Sequence, residues 1–200
     1  MKFNKRILIL CEDEKSSLFY FQGFKKDPIL KRSLSSVSIE VSHPNDYTPV
    51  GLLKEAKEKI KKAKKESNPY DEVWLVFDKD QHPNIPKAFS DARDSVVKIA
   101  FSSKCFEYWV LLHFEYTTRP FGKCNDIISY IKKNHFKDYE KNLDIFQHLK
   151  EKMKFAIENA EKLNKSIKTD LDSGKNIYDL DAYTDIHNLV KMILDTANKK

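Results

Sequence analysis

Glycine is scarce in this 200-residue chain: four glycines supply no Gly-rich phosphate loop and disfavour a turn-rich, all-β fold. No apolar run approaches the roughly 20 residues that a bilayer span needs, so no membrane partner is expected. The opening Met-Lys-Phe-Asn-Lys-Arg leads straight into a short apolar run without a cleavable signal pattern, and the expected setting is the cytoplasm. Cysteine is also rare. Cys11, Cys105 and Cys124 are odd in number and lack paired metal-ligand spacing, so reduced thiols in the core are expected. No repeat or extended low-complexity tract is present.

What is present suits a compact domain, or one domain with an appendage: 40% of residues are hydrophobic, enough for a substantial core. The net charge of +6 favours an anionic partner without specifying one. Many lysines fall in helix-like stretches such as Leu53 to Lys65. They read either as solvated helix faces or as a surface that contacts nucleic-acid phosphates.

Strand and helix signals alternate through the first half. Ile7 to Cys11 and Val73 to Phe77 are continuous apolar runs, the pattern of parallel strands buried on both faces. Ser16 or Ser17 is placed to cap a helix running to about Leu34. Val37 to Val41 alternates as a half-buried strand, and Thr48-Pro49 opens a long helix with Thr48 as N-cap. Pro83 to Pro86 read as a loop, Lys87 to Asp94 as a helix and Val96 to Phe101 as another strand. Beyond Cys105 only helices are expected, at Phe106–Phe114, Asp126–Asn134, Asn142 to about Ile167 and Thr184–Ala197, with an exposed loop over Thr169–Asp181. The expected fold class is α/β: a mostly parallel sheet flanked by helices over residues 1–118, with an α-helical C-terminal subdomain over 119–200 packed on it.

Two acidic clusters end the apolar runs. Glu12-Asp13-Glu14 follows the first, and Asp78-Lys79-Asp80 follows the run from Val73 to Phe77. In open α/β sheets the carboxyl ends of the strands border the ligand crevice. Several carboxylates gathered there repel one another unless a cation is present, and a hard divalent ion, Mg²⁺ or Mn²⁺, is the simplest such cation. Asp78 and Asp80 are one residue apart and share a face of an extended strand end. Glu12 is placed either to ligate the ion or to act as general base. The competing view of all three is helix N-caps or ordinary turn acids.

Other polar residues carry paired readings. Glu107 lies on a strongly apolar helix, where an unpaired charge costs several kcal/mol. It is expected to support metal ligands or to pair with Lys104 or Arg119. His113 on that helix reads as a satisfied core histidine, with no second His at zinc-motif spacing. His82, near Asp80, is placed for proton transfer or phosphate contact. Lys104 could stabilise developing phosphate charge or be a solvent lysine. Lys79 and Lys15, flanking the acidic clusters, complete the candidate substrate-binding set.

Four blocks together resemble a known family: Ile7 to Glu12, Tyr20-Phe21, Trp74 to His82, and Cys105 to Phe114. In order and separation, up to Thr184–Val190, they look like the RloB-like family of phage-defence proteins. That family is similar to the Toprim fold of topoisomerases, primases and overcoming-lysogenization-defect nucleases. The resemblance implies a Toprim-like sheet, with Glu12 as the glutamate after the first strand and Asp78 and Asp80 as the Asp-x-Asp pair that manages metal and phosphodiester chemistry. The chain departs from the family pattern at Asp13, where relatives usually have Gly, and at Ser17, where a second acid often precedes the aromatic pair. Gly takes positive φ cheaply and Asp less readily.

The expected function is therefore a metal-dependent nuclease in prokaryotic antiviral defence, acting on RNA, tRNA included, ahead of DNA. A second reading is a catalytically weak module that binds nucleic acid or a companion defence protein. A third is a receiver-like domain with Asp78 as phosphoacceptor and Ser102 or Lys104 as switch partners. An oligomer is compatible with all three.

Overall fold

A computed structural model describes residues 5–79, 82, 84–93 and 95–198. The first half alternates as expected: β1 (Lys5–Cys11), α1 (Ser16–Lys26), α2 (Pro28–Ser33), β2 (Val37–Ser42), α3 (Pro49–Lys65), β3 (Glu72–Asp78), α4 (Ile85–Arg93) and β4 (Val97–Ser102). Helices follow: α5 (Glu107–Leu112), α6 (Cys124–Asn134), α7 (Phe146–Leu149), α8 (Met153–Ser166), α9 (Lys168–Asp172) and α10 (Ile186–Asn198). No helix among the described residues is long and apolar enough to cross a membrane.

The four strands form an all-parallel sheet in the order β2-β1-β3-β4, with Cys11 opposite Val76 and Asp78 opposite Ser102. Alternate side chains divide between two layers. Ile7, Ile9, Cys11, Trp74 and Val76 face a core completed by α1, α5, α6, α7, α8 and α10. Leu8, Leu10, Val73, Leu75 and Phe77 face α3 and α4. Burial on both faces explains the unbroken apolar runs, each large side chain contributing about 1.5–3 kcal/mol. From β1 the chain steps outward to β2, then crosses back to β3 on the other side of β1. The sheet therefore reverses its winding between β1 and β3, and their carboxyl ends border the crevice.

Local chemistry sets several boundaries. Thr48 caps α3 as expected, its hydroxyl accepting Gly51 N–H at 3.1 Å, with Pro49 at the first helical position. The single helix expected from Ser16 to Leu34 is two helices, because Pro28 has no N–H to give and Asp27 caps a new helix by accepting Ile29 N–H at 3.0 Å and Leu30 N–H at 3.1 Å. The expected loop at Pro83–Pro86 is shorter, since Ile85 and Pro86 already belong to α4; Pro83 and Asp94 lie outside the described residues. The long helix expected from Asn142 begins only at Phe146 and passes through a 3₁₀ turn at Lys150–Lys152 before α8. The loop expected over Thr169–Asp181 contains all of α9 but its first residue and a 3₁₀ turn at Ile177–Asp179, and its Leu180 is buried against the α3/α4 layer.

The segment after Leu180 pairs with the carboxyl end of β4 at its outer edge. Ser103 N–H donates to Tyr183 O at 2.8 Å, Thr184 bridges Ser102 antiparallel, and the Asp185 carboxylate accepts Phe101 N–H at 2.5 Å. Edge groups at the carboxyl end of β4, from Phe101 to Ser103, are thus paired within the molecule.

Candidate functional site

Glu12 leaves the end of β1 with its N–H on Val76 O of β3 at 2.9 Å. Its side chain turns across the strand ends, where one carboxylate oxygen accepts Asp78 N–H at 2.9 Å and the other meets Nε2 of His82. Glu12, Asp78 and His82 are thus brought together, each half-buried. Asp80 lies outside the described residues. Ser102 sits opposite Asp78 on β4, and its buried Oγ has no hydrogen-bond partner among the described residues.

Asp13 turns away from this pair to organise α1. Its carboxylate accepts Lys15 N–H at 2.8 Å and Ser17 N–H at 3.1 Å, and also takes the Ser17 hydroxyl. Among the described residues the only non-glycine positions with positive φ are Ser67 and Lys104, so the backbone at Asp13 does not need glycine. Lys15 itself is exposed at the start of α1.

Lys104 adopts φ of 65° in the turn from β4 to α5 and holds Asp181 at 3.1 Å. A left-handed conformation at a non-glycine residue costs on the order of 1 kcal/mol and persists where its surroundings impose it. Lys79, whose N–H donates to Ser102 O at 3.1 Å, also flanks Asp78. A cavity of about 260 Å³ beside Asp78 is lined by Lys79, Lys104, Lys123 and Lys141, together with Cys105 and Cys124. Lys123 and Lys141 are contributed by the second half of the chain, and no local motif marks them.

Glu107 is fully buried at the start of α5. It pairs with neither Lys104 nor Arg119; the latter lies over the rings of Phe121 and Tyr130. Instead, one carboxylate oxygen accepts the Ser16 hydroxyl at 2.7 Å and the Tyr139 hydroxyl at 3.1 Å, and the other faces Lys141 Nζ at 3.6 Å. These partners stand far apart in sequence, so periodicity could not reveal them. Burial and the Glu107 charge push the Tyr139 hydroxyl well above its ordinary range, keeping it a donor.

The thiol expectation holds for Cys11, which is free and buried, its pKa raised first by burial and then by the Asp13 charge. It fails for the other two: Cys105 and Cys124 form a disulfide. Packing of α5 on α6 sets their Cα atoms 5.6 Å apart, within bridging range. His113 is the satisfied core histidine expected, with Nδ1 donating to Trp109 O at 3.0 Å and Nε2 lying 3.3 Å from the Tyr20 hydroxyl. Burial lowers its pKa to about 3.

The family model described as RloB-like protein matches residues 7–193. The chain belongs to the RloB-like family. The match takes in every strand carboxyl end described above and the helices through most of α10. No curated protein and no solved structure matches this RloB-like chain.

Proposed function

We propose that this RloB-like protein is a divalent-metal-dependent, phosphodiester-cleaving nuclease of Toprim-like type, serving prokaryotic antiviral defence. RNA, tRNA included, is the preferred substrate class, with DNA as the alternative. One observation carries the reading: the Glu12 carboxylate sits against Asp78 N–H at the carboxyl ends of adjacent parallel strands, beside a cavity edged by four lysines.

The donor set fits a hard cation. Glu12 and Asp78 offer carboxylate oxygens, and the uncommitted hydroxyl of Ser102 stands close by, which suits Mg²⁺ or Mn²⁺ keeping part of its water shell. Glu12, Asp78 and Asp80 would hold the ion. When bound, it would polarise a phosphate and supply a water-derived nucleophile.

The remaining residues have roles that follow from their positions. His82 orients the Glu12 carboxylate through Nε2 and is the group available to pass a proton at that atom. Lys79, Lys104 and Lys141 bring positive charge to the cavity where phosphate oxygens would lie, and Lys15 extends it to the exposed start of α1. Glu107, enclosed by Ser16 and Tyr139, acts by positioning.

The test is incubation of the purified protein with total cellular RNA and with plasmid DNA, with Mn²⁺ or with chelator, followed by end mapping. Metal-dependent cleavage that disappears in Asp78→Ala and Glu12→Gln is expected. Cleavage in chelator, or variants as active as the parent, would overturn the nuclease. Metal-blind binding without cleavage would favour the interaction module.

A further inference from the structure

The disulfide stands beside the buried Glu107; the nuclease reading gives Glu107 a positioning role only and leaves both cysteines without one. One sulfur from each of Cys105 and Cys124 and one oxygen of Glu107 lie within 4.8 Å of one another. Thiolate sulfur and carboxylate oxygen are both zinc ligands, and a tetrahedral zinc with bonds of about 2.0–2.3 Å separates its ligand atoms by roughly 3.3–3.8 Å. The Cys124 sulfur and the nearer Glu107 oxygen, 3.2 Å apart, are already near that spacing, whereas the two sulfurs, bonded to each other, are closer than it. Opening the disulfide would let the sulfurs move apart to reach it.

We propose that Cys105, Cys124 and Glu107 form a redox-gated site for a thiophilic divalent cation, zinc above all, open when the disulfide is reduced and closed when it is oxidised.

Glu107 is arranged as a ligand. Ser16 and Tyr139 both donate to Oε1, fixing the plane of the carboxylate, while Oε2 points at Cys124 Sγ across 3.2 Å. Hydroxyls holding one oxygen while the other faces the ion are the usual outer support of a metal-binding carboxylate. In the oxidised protein the Cys124 sulfur carries no proton, so that approach is a contact and not a hydrogen bond. Lys141 Nζ, 3.6 Å from Oε2 and on a side chain 44% exposed, supplies the partial counter-charge and can swing outward. It also offsets the net charge of −1 that two thiolates and a carboxylate leave around a divalent ion.

Cys105 is buried and Cys124 half-buried, and the disulfide is reached through the cavity beside Asp78. Both cysteines line the 260 Å³ cavity, which admits a small dithiol and leaves room for water as fourth ligand. Cys124 is the first residue of α6, an 11-residue helix, which fixes the place of its sulfur beside Glu107. Soft sulfur ligands select zinc over magnesium, so this site and the all-oxygen site at Glu12 and Asp78 take different cations.

The chemistry balances with a dithiol as reductant. Its two thiols transfer two electrons and two protons to the Cys105–Cys124 bond, giving two protein thiols and the reductant's own disulfide. Zinc then displaces the two thiol protons to solvent as it binds.

The test measures metal and needs no cleavage assay, so its failure and that of the nuclease are distinguishable. Metal-free full-length protein, oxidised or reduced, is equilibrated with Zn²⁺ and its metal content measured; Co²⁺ replaces zinc in parallel for absorption spectra. Reduced protein should retain one more zinc per chain than oxidised protein. With cobalt, the reduced parent and Cys11→Ser should show thiolate-to-cobalt charge-transfer absorption, and Cys105→Ser and Cys124→Ser should lose it. Glu107→Gln should weaken zinc binding by more than the roughly 10–100-fold that loss of a supporting group costs. Equal zinc in oxidised and reduced protein, no uptake on reduction, a charge-transfer band in the double Cys105→Ser/Cys124→Ser variant, or unchanged affinity in Glu107→Gln would each overturn the site.

Discussion

The Glu12 carboxylate accepts the main-chain N–H of Asp78 at 2.9 Å, so the acid ending β1 fixes the backbone that carries the acid ending β3. Glu12→Ala removes that acceptor from a half-buried site and is expected to cost about 1–2 kcal/mol. Glu12→Gln keeps an amide oxygen for the same N–H and should cost less than half as much, and on the proposed metal site Mn²⁺ affinity should fall in both. Urea denaturation and calorimetric metal titration give the two readouts. A Gln variant as unstable as the Ala variant would show that the hydrogen bond is not what Glu12 contributes.

Asp13 and Ser17 answer each other. The carboxylate takes both the N–H and the hydroxyl of Ser17, and Lys15 N–H as well, so one side chain satisfies one of the open N–H groups in the first turn of α1 and ties the turn before it. Asp13→Ala should destabilise the protein by about 1 kcal/mol, the ordinary value of an N-terminal cap. Ser17→Ala should cost less, and the double variant less than the sum, because the two share one interaction. Strict additivity in denaturation midpoints would mean that they act independently.

Much of the sheet and its acidic ends was legible because strands buried on both faces must be continuously apolar, and Glu12 and Asp78, at the carboxyl ends of the apolar runs, escape that demand. Thr48-Pro49 was legible because capping is local chemistry. The break at Asp27-Pro28 carried an equally local signal, a capping acid followed by proline, but the apolar residues on either side suggested one helix. The partners of Glu107 were hidden for a different reason. Ser16, Tyr139 and Lys141 are joined to it by packing between elements distant in sequence, and no periodicity encodes such a meeting. The Cys105–Cys124 pair was equally silent, since a separation of 19 residues matches no metal motif and only α5 against α6 closes it.

Gly23 lets α1 and α7 approach. A methyl group built at position 23 would overlap the Phe146 ring, itself fully buried against Tyr20 and Phe24. In an exposed helix Gly→Ala would stabilise, by roughly 0.5–1 kcal/mol. Here Gly23→Ala is expected to destabilise by about 1–3 kcal/mol, because overpacking outweighs the gain in helix propensity. Pairing it with Phe146→Leu should recover part of the loss. A Gly23→Ala single variant with a raised melting temperature would show that this contact relaxes without cost.

Asp185 makes stability depend on pH near neutrality. Burial pushes its carboxyl up to about 7, against the opposing pull of Phe101 N–H and the Tyr183 hydroxyl. The folded protein therefore holds a proton that the unfolded chain releases near 3.8, so this contribution is complete below about pH 4 and is lost as the pH rises through about 7. Burial acts oppositely on His187 and His113, lowered to about 4 and about 3, whose contributions are present above 6.5 and lost as the pH falls through those values. Between pH 4 and 6.5 two histidines outweigh one acid, each group changing stability by at most about 1.4 kcal/mol per pH unit. Stability should peak near pH 6.5 and decline toward pH 8. Asp185→Asn keeps an oxygen for Phe101 N–H and cannot ionise, so it should climb more steeply to pH 6.5 and then level off. Urea midpoints at pH 5, 6.5 and 8 decide the matter: an Asn variant that still weakens between 6.5 and 8 assigns the neutral limb to another group.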